Sequence, residues 1–243
     1  MKFFASIGQY IMLLWRVFSL PQKWKIFRRQ VVNEMYSLGI MSTPIVAIVS
    51  FFVGAVIAIQ TALNLAGLPA YVVGFATRES LILEFCSTMI ALILAGKVGS
   101  SIASQIGSMR ISEQIDALEL MGVNAASYLI LPKIIGLVLL VPFITIFSIT
   151  LGIFGGYVGI LVTDFIGGNN FIEGIQMNFM PYYVAYSIIK SMVFAFIITS
   201  VSAYWGYNVK RGSLEVGKNS TRAVVMSSIS ILVFNLVLTE LLL

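Results

Sequence analysis

No residue between Met35 and Thr77 carries a charge, and Lys133 and Asp164 enclose thirty more uncharged residues. Runs of this length exceed the roughly 20 residues that cross ~30 Å of hydrocarbon, and they lack the two-residue alternation of a transmembrane β-strand. Inside a bilayer the backbone must satisfy its own hydrogen bonds, so the runs predict helices and the chain an all-α, polytopic membrane protein. Composition agrees, because 59% of the residues are hydrophobic and only 10% charged, well outside the balance of a water-soluble domain. The chain has no His, and its one Cys, Cys86, lies inside an apolar run. It cannot close a disulfide, His-containing or multi-Cys zinc sites are excluded, and no cofactor is expected.

Five spans follow from the pattern. Span 1 covers residues 44–66, between two prolines, and span 2 runs from near 80 to about 108, with Glu84 near one end and Lys97 further on. Gly96, Gly99, Ser100, Ala103 and Ser104 give span 2 a small-residue face that another helix can approach closely. Span 3 lies between Lys133 and Asp164 and contains Pro142 and the overlapping spacings Gly152 to Gly156 and Gly155 to Gly159. It is expected to be kinked or tilted. Span 4, residues 182–207, carries Lys190, and span 5 covers residues 223–239.

Residues 1–43 form an N-terminal segment of different character, and 44–243 the transmembrane domain. Phe3, Ile7, Tyr10, Leu14 and Val17 recur at helical spacing, while Trp15 and Trp24 accompany Arg16, Lys23, Lys25, Arg28 and Arg29. That mixture fits an interfacial helix on the cytoplasmic leaflet, with a short extra span as the alternative. No small-x-small cleavage site follows the apolar part, so the segment is expected to be retained.

The net charge of +5 does not point to nucleic acid, because Lys and Arg gather beside the ends of the apolar runs. Six precede span 1, one separates spans 1 and 2, none separates spans 3 and 4, and four separate spans 4 and 5. The alternation puts the N-terminus in the cytoplasm and, after five crossings, the C-terminus on the periplasmic side. A hairpin within span 3 would place the basic segment KRGSLEVGKNSTR outside, against the charge rule.

Between spans 2 and 3 the stretch GSMRISEQIDALELMGV, residues 107–123, looks like a piece of a soluble protein. A helix over about 112–121, with Ser112 as N-cap and Gly122 as stop, would align Glu113, Asp116 and Glu119 as an acidic stripe and Ile111, Ile115 and Leu118 as an apolar one. Taken alone, such a stripe also fits a solvated helix that merely joins two spans. The longer run LAGKVGSSIASQIGSMRISEQIDALELMGV, residues 94–123, resembles the signature of the MlaE permease family, the membrane subunits of Mla- and Mce-type ABC transporters that move phospholipids or other lipids. KSMVFAFIITSVSAYWGYN from Lys190 and STRAVVMSSISILVFNLVLT from Ser220 are similar to the family's last two spans and the loop between them.

The resemblance implies that the segment carrying Glu-Gln is the coupling helix that docks on the ATPase subunit, which assigns Glu113, Gln114, Asp116 and Glu119 to that interface. It also implies a permease homodimer with two ATPase subunits and an outer-face MCE-domain protein, in the inner membrane of a two-membraned bacterium. Glu84 then matches the family glutamate beside the lipid-binding cavity. The family often has an arginine just before that glutamate and a Gly-Pro shortly after, where this chain has Leu83, Cys86 and Ser87.

A carboxylate within a span is a functional candidate on physical grounds alone. Lys190, at a comparable depth in span 4, could approach Glu84 and share the substrate site. Snorkelling of Lys190 and headgroup wetting of Glu84 are the alternatives. The segment GSLEVGKN, residues 212–219, nearly matches a phosphate-binding loop, but Asn219 replaces the hydroxyl that would hold Mg²⁺ and an apolar span follows. ATP hydrolysis is therefore expected in a separate subunit and the chain itself is not an enzyme. A self-sufficient secondary transporter would show inverted repeats and several intramembrane acids, and a lipid-modifying enzyme would show His or converging carboxylates. An ABC permease for another hydrophobic substrate stays open.

Overall fold

The computed structural model describes residues 2–19, 24–65, 67–210 and 212–243, with side chains from residue 7 onward. The side chain of Phe3, the residues Lys23 and Arg211, and the expected end of span 1 at Ala66 lie outside the described residues. Eight helices make up the described chain: α1 (Lys2–Val17), α2 (Trp24–Asn64), α3 (Tyr71–Ile111), α4 (Gln114–Leu120), α5 (Ala125–Thr163), α6 (Gly168–Gln176), α7 (Pro181–Tyr207) and α8 (Gly212–Leu242). Five of them, α2, α3, α5, α7 and α8, are long and apolar enough to cross a membrane. The chain is a polytopic helical protein, as the apolar runs required.

Glycine permits a close backbone contact between α2 and α5. A Cβ on Gly54 would overlap the Gly152 carbonyl, and one on Gly155 would overlap the carbonyl of Phe51. Without a hydrophobic drive between helices in lipid, such backbone approach supplies the van der Waals contact that holds them. Ser50 and Ser148 hydroxyls meet at 2.7 Å in the same interface, so its polar atoms are paired. A second interface joins α3, α7 and α8. Here Gly99 faces Ser202, Gly206 faces the backbone of Ala103, and the Ser220 hydroxyl donates to the Ser100 carbonyl at 3.1 Å. Thus Gly99, Ser100 and Ala103 of the expected small-residue face are used for packing, whereas Gly96 borders open space and Ser104 is exposed.

The long helices begin earlier than hydropathy implied. Span 2 was placed from residue 80, yet α3 starts at Tyr71, because Arg78 and Glu79 sit within the helix. Arg78 is 1% exposed and donates to the carbonyls of Ile175 and Met177 at 2.6 and 2.8 Å, pinning the α6–α7 connection while Glu79 pairs with it at 2.5 Å. Lys133, taken as the edge of span 3, lies inside α5 and is buried, bound to Glu34 at 2.6 Å and Gln105 at 2.7 Å. The basic segment before span 5 is helical from Gly212 rather than a loop. The charged stretch from Trp24 likewise runs without a break into span 1, and α5 continues through Pro132 and Pro142.

Helix α1 lies against α7. Leu13 and Val17 are buried, Tyr10 hydroxyl meets Ser200 at 2.8 Å, and the Tyr10 and Tyr204 rings meet edge to face at 5.7 Å. Ile7, Ile11, Met12 and Trp15 point away from the protein. This two-sided apolar character distinguishes α1 from the purely surface helix of a soluble domain.

Candidate functional site

Glu84 and Lys190 come together. Lys190 Nζ lies 2.9 Å from Glu84 Oε1, and it is completely buried whereas the Glu84 side chain is 40% exposed. Three helices build the site, with Glu84 and Thr88 on α3, Tyr186 and Lys190 on α7, and Asn235 and Thr239 on α8. Asn235 donates to Glu84 Oε2 at 3.0 Å, Thr88 donates at 3.2 Å, and the Thr239 hydroxyl lies 3.1 Å from Oε1. Lys190 also donates to the Tyr186 hydroxyl at 2.9 Å, so burial leaves its ammonium partnered. Lys190 is thus enclosed by α3, α7 and α8 and paired with Glu84.

The backbone around Glu84 is a π-helix over Leu81–Met89. Widening a turn adds a residue and rotates the side chains beyond it, and such segments concentrate at functional sites. The chain therefore departs from α-helical geometry without a Gly-Pro pair, and Lys190 rather than a preceding arginine provides the cation beside the carboxylate. The resulting arrangement neutralises a charge in an apolar span and leaves one edge of a carboxylate open.

At the opposite end of α3, the segment expected to meet an ATPase is held by both charged and apolar contacts. Ile115 is fully buried and Leu118 partly so, while Ile111 is exposed. Ser112 is not the N-cap. Its hydroxyl donates back to the Ser108 carbonyl at 2.9 Å at the end of α3, and Glu113 takes the left-handed backbone (φ 58°) that reverses the chain into α4. Gly122, at φ 77°, ends the helix as expected. The four expected interface residues divide into two pairs. Asp116 binds Arg110 at 2.5 Å and Glu119 accepts from Tyr207 at 2.8 Å, fixing α4 to α3 and α7. Glu113 and Gln114 are exposed, as are Leu120 at 90% and Met121 at 69%.

Asn235, Thr239, Thr88 and Tyr186 were missed in the sequence, as were Leu120 and Met121. Asn235 and Thr239 stand four residues apart in an otherwise apolar run, a one-face spacing that could have flagged them. The look-alike phosphate loop is not a loop: residues 213–219 are helical, so the backbone N–H groups beyond the first turn are spent on intrahelical hydrogen bonds.

Comparison with known proteins places these features in context. The family model described as Permease MlaE matches residues 31–241. A probable ABC transporter permease protein of Rickettsia bellii is 34% identical over 97% of this chain and 92% of its own length. One of Synechocystis is 32% identical over 97% of this chain and 90% of its own length. The chloroplastic protein trigalactosyldiacylglycerol 1 of Arabidopsis thaliana is 30% identical over 93% of this chain and 68% of its own length.

Proposed function

The chain belongs to the MlaE permease family, and from that premise we propose that it is the membrane subunit through which an ABC transporter moves phospholipid or a related lipid. Two copies form the lipid cavity, two ATPase subunits dock on the α4 helices, and an MCE-domain protein receives or delivers lipid on the outer face. The assembly sits in the bacterial inner membrane with the α4 side in the cytoplasm. The lysine and arginine count of the loops supports that orientation, with the N-terminus cytoplasmic and the C-terminus periplasmic.

The observation that carries the reading is Glu84. A carboxylate anchored by three helices and open at one edge gives a lipid-lined cavity a single polar fixture, while Lys190 behind it positions and neutralises it. Glu84 is thus the substrate-facing member and Lys190 acts through it. The name of the Arabidopsis relative is that of a lipid, which supports lipid as the class of cargo.

In mechanism, closure of the ATPase subunits on ATP presses Glu113, Gln114, Leu120 and Met121. The Arg110–Asp116 and Tyr207–Glu119 contacts pass that push to α3 and α7, the helices that carry Glu84 and Lys190, so the cavity changes shape as the nucleotide is consumed. Native mass spectrometry of the chain purified with its neighbouring gene products tests the reading. Two permeases, two ATPases and retained phospholipid are expected, and a stable lone monomer without lipid contradicts it.

A further inference from the structure

A shallow groove of about 520 Å³ opens where the end of α7 meets the beginning of α8, lined by Trp205, Lys218, Thr221, Arg222, Val225 and Met226. Lys218, Thr221, Arg222 and Val225 fall on one face of α8, and all four are exposed. The Arg222 guanidinium lies over the Trp205 ring at 5.8 Å and makes a long hydrogen bond to Asn219 Oδ1 at 3.5 Å. No carboxylate among the described residues pairs with Lys218 or Arg222. The nearest acid on the helix, Glu215, accepts from the Lys210 backbone N–H.

Two unpaired cations therefore stand at the margin of the apolar run, with Val225 and Met226 one turn deeper and an indole at the side. That sequence of surfaces matches a glycerophospholipid from its phosphate to its acyl chain. We propose that this groove binds an anionic phospholipid, with the headgroup phosphate between Lys218 and Arg222 and an acyl chain along Val225 and Met226. The site is separate from the Glu84 network: Asn235 stands thirteen residues beyond Arg222 on α8, roughly 20 Å along the axis. It also gives a role to the lysine of the look-alike phosphate loop, through its side chain rather than the backbone. The proposal concerns a lipid held at the protein surface and does not depend on what the transporter carries.

Trp205 reports on occupancy. The chain has three tryptophans, so W15F/W24F leaves Trp205 as its sole one. This full-length chain is placed in phosphatidylcholine nanodiscs containing either phosphatidylglycerol or phosphatidylcholine with brominated acyl chains, at equal mole fraction. Attraction of about fivefold per cation near the membrane surface predicts several-fold stronger quenching by the brominated phosphatidylglycerol, weakening as salt rises. K218Q/R222Q is expected to abolish the preference, and the charge-retaining K218R/R222K to keep it. Equal quenching by the two lipids overturns the proposal, as does a preference that survives K218Q/R222Q or is indifferent to salt. Absence of quenching by either lipid, as when a second copy of the chain covers the groove, overturns it as well.

Discussion

Lys190 is sealed inside the helix bundle while its partner 2.9 Å away, Glu84, keeps an open edge. The asymmetry assigns different consequences to the two residues. Glu84→Gln strands a buried ammonium that keeps only hydroxyl and carbonyl partners, whereas Lys190→Met leaves a carboxylate still bound by Asn235 and Thr88. Thermal unfolding in detergent is expected to show the greater loss for Glu84→Gln, about 2–3 kcal/mol, below the roughly 3–5 kcal/mol of a fully buried pair because Glu84 is partly solvated. The double variant should recover part of it. Equal, additive losses would show that the two side chains do not act as a pair.

The α2–α5 interface predicts a sharp contrast among glycines. Gly155→Val places its side chain in the Phe51 carbonyl, so the folded chain should fail to accumulate in the membrane. Gly96→Ala, where a Cβ meets nothing within 4 Å, should be neutral or stabilising by up to about 1 kcal/mol, since alanine is the better helix former. Membrane yield and melting temperature measure both.

Division of the proposed coupling residues predicts two phenotypes. Glu113→Lys with Leu120→Asp alters only exposed side chains and should abolish copurification of the ATPase from a folded permease. Tyr207→Phe removes the bond to Glu119 and should leave the complex assembled with weaker stimulation of ATP hydrolysis by lipid. Pull-down and ATPase rates separate the two.

Arg78 predicts a local effect. Arg78→Met leaves the Ile175 and Met177 carbonyls without their donor and should cost about 1–3 kcal/mol. Limited proteolysis should then cut the connection between α6 and α7 faster than in the unsubstituted chain.

Hydropathy made the five spans legible because a long uncharged run has few alternatives in a bilayer, and Gly122 was legible because a helix end at positive φ favours glycine. The beginnings of α3 and α8 were not. Charge reads as loop in a linear profile, yet Arg78 is satisfied by carbonyls a hundred residues away and Lys218 and Arg222 ride the surface of a helix. Glu84 and Lys190 stood out as charges in an apolar background, whereas Asn235 and Thr239 became site residues only when α8 folded against α3. Ser112 misled because a serine before an acidic helix fits an N-cap, but the preceding helix continues to Ile111 and claims its hydroxyl. The π-helix at Glu84 left no signal in residue type.

The most direct test is lipid transfer itself. Proteoliposomes containing this chain with its ATPase and the proposed MCE-domain partner, loaded with fluorescent phospholipid, are supplied with ATP or a nonhydrolysable analogue, for the unsubstituted chain and for Glu84→Gln. The account predicts phospholipid exchange between membrane and MCE-domain protein that requires ATP hydrolysis and falls at least tenfold in Glu84→Gln complexes that still hydrolyse ATP, a barrier increase of about 1.4 kcal/mol or more. ATP hydrolysis without phospholipid exchange in the unsubstituted complex, or exchange indifferent to Glu84, would contradict it.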